Sequence, residues 1–205
     1  MLTSIDFIKF RNCFIYNYLK YYNKLKKSQL KVSNLPVKGW DSLLPSFPRA
    51  GGSGGLDDHR FSNLIGSGDQ ELNDRGKLKI TFARCWWAPG CKARMPRVRF
   101  GHVHIINSYF NSTASAQCVM AGFESNLRVE NNVFKNVKVP IDLMAGYTAV
   151  TAVGNIFTNT SGNTAGNKTA FTPPYSIITL AASAVKADVS ANAGATFTGN
   201  ICGSF

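Results

Sequence analysis

Four stretches of the chain share one pattern of apolar and polar positions: ITFARCWW (80–87), VHIINSYF (103–110), LRVENNVF (127–134) and VTAVGNIF (150–157). Each begins apolar, any, apolar, any. Two polar or small positions follow, then an apolar or aromatic pair. Arg84 and Cys85 are the departures, both in the first copy. A two-residue alternation marks a strand with one buried face. Asn and Gly in the polar pair suit a turn, because they tolerate left-handed backbone. The closing residues are Trp87, Phe110, Phe134 and Phe157, so the copies are spaced by 23, 24 and 23 residues. One such unit cannot bury its own apolar face, whereas a stack of them can. The pattern predicts an all-β chain, a right-handed parallel β-helix with coils of roughly 22–25 residues. A solenoid of amphipathic helices is the rival. The period of two and the wealth of Val, Ile, Thr and aromatics speak against it. Asn107, Asn131 and Asn155 are candidates for a hydrogen-bonded ladder at equivalent turns, and IKFRNCFI (8–15) reads as a fifth copy.

The repeat divides the chain. Residues 1–16 read as a remnant coil, 17–55 as a basic insertion with a glycine-rich loop, and 56–205 as the main β-helix portion. Within the insertion, YLKYYNKLKKSQLK (18–31) reads as a solvated basic segment and PRAGGSGG (48–55) as a flexible loop. The stretch 159–176 loosens, and 191–205 is small and polar, as expected of a tail laid along the stack. The N-terminal residues do not read as a signal peptide, since acidic, basic and aromatic residues interrupt them. No run of eighteen apolar residues predicts a transmembrane helix.

Charge narrows the partner. Twenty-three basic residues face 11 acidic ones, a net charge of +12, which favours a polyanion without saying which. Lys92, Arg94, Arg97 and Arg99 fall within eight positions, just before the strand that carries His102 and His104. A nucleic-acid binder would interleave aromatics with such a row for base stacking, and RMPRVR has none. An enzyme acting on an acidic polymer, or a non-catalytic binder of one, suits the row better. Arginine meets a carboxylate with a planar two-pronged donor set.

The stretch DDHRFSNLIGSGD…DRGKLKITFARCWW…GCKARMPRVRFGHVHIINSYFNS resembles the pectate lyase family of right-handed parallel β-helix enzymes. RMPRVRFG, followed by a strand of the VHIINSYF kind, is the most specific element. LIGSGD and FTPPYS are also similar to bacterial members. The resemblance runs from about residue 48 to about 195, with a weaker echo at 4–16. It implies calcium-dependent β-elimination of polygalacturonate, the backbone of pectin, by a secreted monomer that binds neither nucleic acid nor membrane. On the family's RxPxxR pattern it makes Arg94 the catalytic base and Arg99 a substrate-carboxylate binder. Arg97 lies between them and would bind substrate or form structural ion pairs. The family also places a lysine shortly before the LIG turn. Phe61 stands there in this chain, with Arg60 beside it as a candidate substrate-binding cation. The family's calcium ligands are aspartates on earlier coils, and no counterpart to those coils is legible here. The resemblance is therefore to an N-terminally truncated member, no residue is assigned to the metal, and binding of acidic polysaccharide without catalysis stays open as the alternative.

Other chemistry-bearing residues carry less. Asp57 and Asp58 beside the glycine loop read as turn caps. His102 and His104 share a strand face and are expected on the outer surface beside the arginine row. Trp86 and Trp87 occupy packing positions of the repeat. Glu124 and Glu130 do not read as a glycosidase pair. Five cysteines at irregular spacing form no framework, although a bridge between Cys85 and Cys91 is possible.

Overall fold

The computed structural model describes residues 6–10, 13–17, 61–144 and 147–193. Strands β3 (Leu64–Ile65), β4 (Lys79–Ala83) and β5 (Trp86–Trp87) make the first coil. Strands β6 (Arg97–Val98), β7 (His102–Ile106) and β8 (Tyr109–Phe110) make the second. The third contains β9 (Gln117–Ala121), β10 (Asn126–Glu130) and β11 (Val133–Lys135). The fourth contains β12 (Val139–Leu143), β13 (Ala149–Val153) and β14 (Ile156–Thr158). Equivalent strands pair in parallel, giving three sheets that run the length of the stack. The predicted β-helix is therefore the fold.

The register follows the repeat. Trp87 pairs with Phe110, Phe110 with Phe134, and Phe134 with Phe157. Their rings stack along the axis with centroids 4.4, 4.3 and 5.2 Å apart. Parallel in-register pairing is what allows it, because identical positions of successive coils lie one strand spacing apart. Val103, Ile105, Leu127 and Val129 fill the neighbouring interior with no measurable exposure. Trp87 is thus core, as its place in the repeat predicts. Trp86 points the other way, stacks on Tyr109 and donates its indole N–H to Asn111 Oδ1.

The asparagine ladder exists, with Asn155 in it as predicted and its other rungs one residue later than predicted. Arg84, Asn107, Asn131 and Gly154 all hold positive φ, at 55°, 49°, 51° and 65°, and turn the chain. The ladder is built by the next residue of each coil. Cys85 N–H donates to Ser108 Oγ at 3.1 Å, Ser108 N–H to Asn132 Oδ1 at 2.8 Å, and Asn132 N–H to Asn155 Oδ1 at 3.0 Å. Asn155 is therefore a rung, whereas Asn107 and Asn131 are hinges. The left-handed residue reverses the chain, so its successor is the one turned over the interior. Asn107 does separate work. Its amide accepts from Leu180 N–H and donates to the Leu180 carbonyl, both at 2.8 Å, and so pins the C-terminal segment.

Two further elements differ from expectation. Strands β1 (Asp6–Phe10) and β2 (Cys13–Asn17) are antiparallel, and β2 lies antiparallel on β4. The fifth copy is not a parallel coil, because two intervening residues can join antiparallel strands but not supply a parallel crossover. Helix α1 (Ala182–Asn192), not foreseen, lays Val185 and Val189 on Tyr109 and Val133. Among the described residues no helix is long and apolar enough to cross a membrane.

Candidate functional site

The arginine row lies on the outer side of the sheet β3–β6–β9–β12. In β6 the inward residue is Val98, with no measurable exposure, so its neighbours Arg97 and Arg99 must face out. Arg94 sits just upstream, where the backbone adopts φ 60° and the following Met95–Pro96 peptide is cis. A left-handed conformation is costly for a residue with a Cβ and tends to occur where a side chain must be aimed.

Each arginine is held differently. Arg99 pairs with Asp69 and donates to the Gly66 carbonyl at 3.3 Å and the Ser67 carbonyl at 3.4 Å. Glycine clears the way on both adjoining coils. A Cβ at Gly66 would stand 2.7 Å from the Arg99 carbonyl oxygen, and one at Gly122 would stand 3.3 Å from Arg99 Cγ. Arg97 is half-buried, and its Nε has no hydrogen-bond partner among the described residues. Burial pushes the Arg97 guanidinium down from its ordinary range, and the charges of Arg99 and Arg94 push it further. Asp69 opposes them, and after it Asp142, two strands away across Met120. The Asp142 carboxyl is itself pushed up by burial and pulled back by Arg97. Arg94 is held by an aromatic ring, its guanidinium carbon 3.8 Å from the centroid of Phe61. Phe61 bridges Ala93 in parallel, which brings it alongside Arg94, and is 52% exposed.

Of the predicted site residues, the structure brings Arg94, Arg97 and Arg99 onto one shelf. Arg60, Asp57 and Asp58 lie outside the described residues. The missed members are Phe61, Asp69 and Asp142. Asp69 was readable in principle, since the parallel register of Ile65 with Val98 sets the LIGSGD turn beside Arg99.

The histidines lie on a different sheet from this row, with His102 half-buried and His104 buried. His104 is buried, shares a hydrogen bond of 2.7 Å with Glu130 Oε1 through Nε2, and another of 2.8 Å with Tyr175 Oη through Nδ1. Tyr175 also hydrogen-bonds Thr81. His102 stacks on Phe171. The C-terminal segment crosses the β4–β7–β10 sheet here and covers a face that alternation alone leaves to solvent. Glu130 is tied to His104 and Arg128, and Glu124 to Arg75, so they form no catalytic pair. The bridge between Cys85 and Cys91 does not form: Cys91 is a buried cysteine outside any disulfide.

Calcium needs about six to eight oxygen ligands converging on one point. Among the described residues no three His, Cys, Asp or Glu side chains converge. Asp69 is occupied by Arg99, and Asp142 lies under the field of Arg97. The described residues do not fit a calcium site.

A family model described as pectate lyase matches residues 53–197. The chain belongs to the pectate lyase family. It is 32% identical to pectate lyase B of Colletotrichum gloeosporioides over 145 residues, 70% of this chain and 43% of that enzyme. It is 35% identical to the pectate trisaccharide-lyase of Bacillus licheniformis over 138 residues, 65% of this chain and 38% of that enzyme. Among solved structures it superposes with TM-score 0.56 and 26% identity on a Bacillus pectate lyase in complex with trigalacturonate, covering 64% of this chain and 44% of the other. The chain spans less than half the length of these relatives.

Proposed function

We propose that the chain serves the β-elimination cleavage of polygalacturonate, with Arg94 as the base and Arg99 and Arg97 as carboxylate-binding cations. The reading rests on one observation, the shelf that presents three arginines on strand β6 and the residues flanking it. A uronate polymer carries one carboxylate per sugar. A β-strand holds its cations in fixed register against such a repeat, which a loop would not. Arg94, in its neutral form, would take the proton at C5, the C4–O bond would break, and the leaving oxygen would take up a proton from water, so that the released chain ends in a hydroxyl while the other ends in an unsaturated uronide. Arg97 and Arg99 would stabilise the negative charge that develops beside the carboxylate. Arg60 is a further substrate cation on this reading. It acts outside the cell and as a monomer.

The family resemblance carries calcium dependence with it. The described residues supply no ligand set, so the metal would be held by other residues, and no step is drawn through it. The same observation favours a second reading, a non-catalytic binder of acidic polysaccharide that keeps the arginine shelf.

Absorbance of unsaturated uronides on polygalacturonate, with calcium and then with chelator, tests the first reading. A calcium-dependent rise, lost in Arg94→Ala, supports lyase action. A folded chain that binds trigalacturonate yet gives no rise supports the binder.

A further inference from the structure

The three arginines of the shelf differ in what fixes them, and the difference sets what each has left to offer. Arg99 donates to a carboxylate and two carbonyls. Arg97 lies half-buried in the field of Asp69 and Asp142. Arg94, among the described residues, has no ion-pair partner, and its contact is the Phe61 ring at 3.8 Å. A carboxylate partner positions an arginine by occupying its N–H groups and neutralising its charge. An aromatic face positions it through the ring quadrupole alone. The guanidinium edge is then left free of a protein carboxylate and open to a substrate arriving edge-on.

We propose that Phe61 is a positioning residue for Arg94, an exposed platform that seats the guanidinium over the shelf with its edge open to the substrate. The role deepens the function proposed above and rests on it. Three features of the fold support it. The parallel bridge of Phe61 with Ala93 fixes the ring beside Arg94 through the backbone. The left-handed φ of Arg94 aims its side chain at that ring. The ring is half-exposed, so its burial contributes little to the core, and replacing it should leave the fold intact. A flexible arginine loses rotamer freedom when it meets a ligand, and a platform removes that cost beforehand.

The test uses the full chain and four variants: Phe61→Leu, which keeps apolar bulk without a π face, Phe61→Tyr, Arg94→Ala, and Phe61→Leu combined with Arg94→Ala. Thermal unfolding verifies folding. Side-chain NMR reads ring-current shifts of the Arg94 Cδ and Nε protons, assigned by their loss in Arg94→Ala. Trigalacturonate titration in chelator reads affinity without reference to turnover. The shifts should be present in the natural chain, absent in Phe61→Leu and restored in Phe61→Tyr. Phe61→Leu should weaken trigalacturonate about two- to five-fold, the range a surface cation–π contact spans. In the Arg94→Ala background the same change should have no effect, since the ring acts through Arg94.

Ring-current shifts of Arg94 that persist in Phe61→Leu overturn the proposal, as does equal weakening with and without Arg94, which would make the ring a direct sugar contact. If the natural chain neither binds nor cleaves, the proposed function fails, while the NMR comparison still decides whether Phe61 positions Arg94. If it binds and Phe61→Leu binds equally well, the function stands and the positioning role falls.

Discussion

Replacing Asn132 with alanine removes the central rung of the ladder. Its side chain has no measurable exposure and serves three partners. Oδ1 accepts from Ser108 N–H at 2.8 Å, and Nδ2 donates to the Ile105 carbonyl and to Asn155 Oδ1, both at 3.0 Å. Alanine leaves the Ser108 N–H buried without an acceptor, a cost of about 1–3 kcal/mol. Ile105 and Asn155 each lose one donor, about 0.5–1.5 kcal/mol apiece for oxygens with a second lone pair. The sum is about 2–6 kcal/mol, a large share of a typical domain's stability. Asn131, the residue before it, is a hinge at φ 51°. Asn131→Gly keeps the left-handed conformation available and should fall within ~1 kcal/mol of the natural chain. Urea unfolding followed by far-UV circular dichroism measures both. With a slope near ~2 kcal/mol/M, Asn132→Ala should lower the midpoint by about 1–3 M at unchanged slope, and Asn131→Gly by under ~0.5 M. Equal losses, or a larger one at Asn131, would refute the register of the ladder.

Gly122→Ala should damage the shelf rather than the core. The new Cβ would meet the Val98 carbonyl oxygen at 2.7 Å and Arg99 Cγ at 3.3 Å. Displacing a charged carboxylate clamp should weaken trigalacturonate about ten-fold by titration calorimetry. Hydrogen bonding with His104, and after it Arg128, holds the Glu130 carboxyl below its ordinary range against the opposing effect of burial. A depressed folded value contributes stability that is present above the unfolded value of about 4.3 and is lost as pH falls through the folded one. Thermal midpoints should therefore drop as pH falls below about 4.3, and Glu130→Gln should flatten that drop. Burial pushes the Cys118 thiol up to about 12. A thiol reagent at pH near 8, where an ordinary thiol is partly ionised, should leave Cys118 unmodified in the folded chain and label it after denaturation.

The strand repeat, the coil length and the aromatic stack through Trp87, Phe110, Phe134 and Phe157 were legible because a solenoid writes its pairing into the chain. Each coil meets only its neighbours, so equal spacing in sequence becomes adjacency in space. The shelf was legible to the same extent, since Arg97 and Arg99 flank an inward Val98. The ladder was misplaced by one residue because both asparagines of NN at 131–132 satisfy a turn, and only backbone handedness separates hinge from rung. What lies beyond the period had no such signal. The covering of His104 by Tyr175, 71 residues away, depends on a C-terminal segment that follows no repeat. The antiparallel arrival of β2 on β4 is likewise non-periodic. The seating of Arg94 on Phe61 depends on a left-handed arginine that no hydrophobic pattern announces. Periodicity determined the scaffold and where its cations stand. Tertiary structure alone decided which partner each cation keeps, because those contacts join segments whose spacing carries no regular translation along the stack.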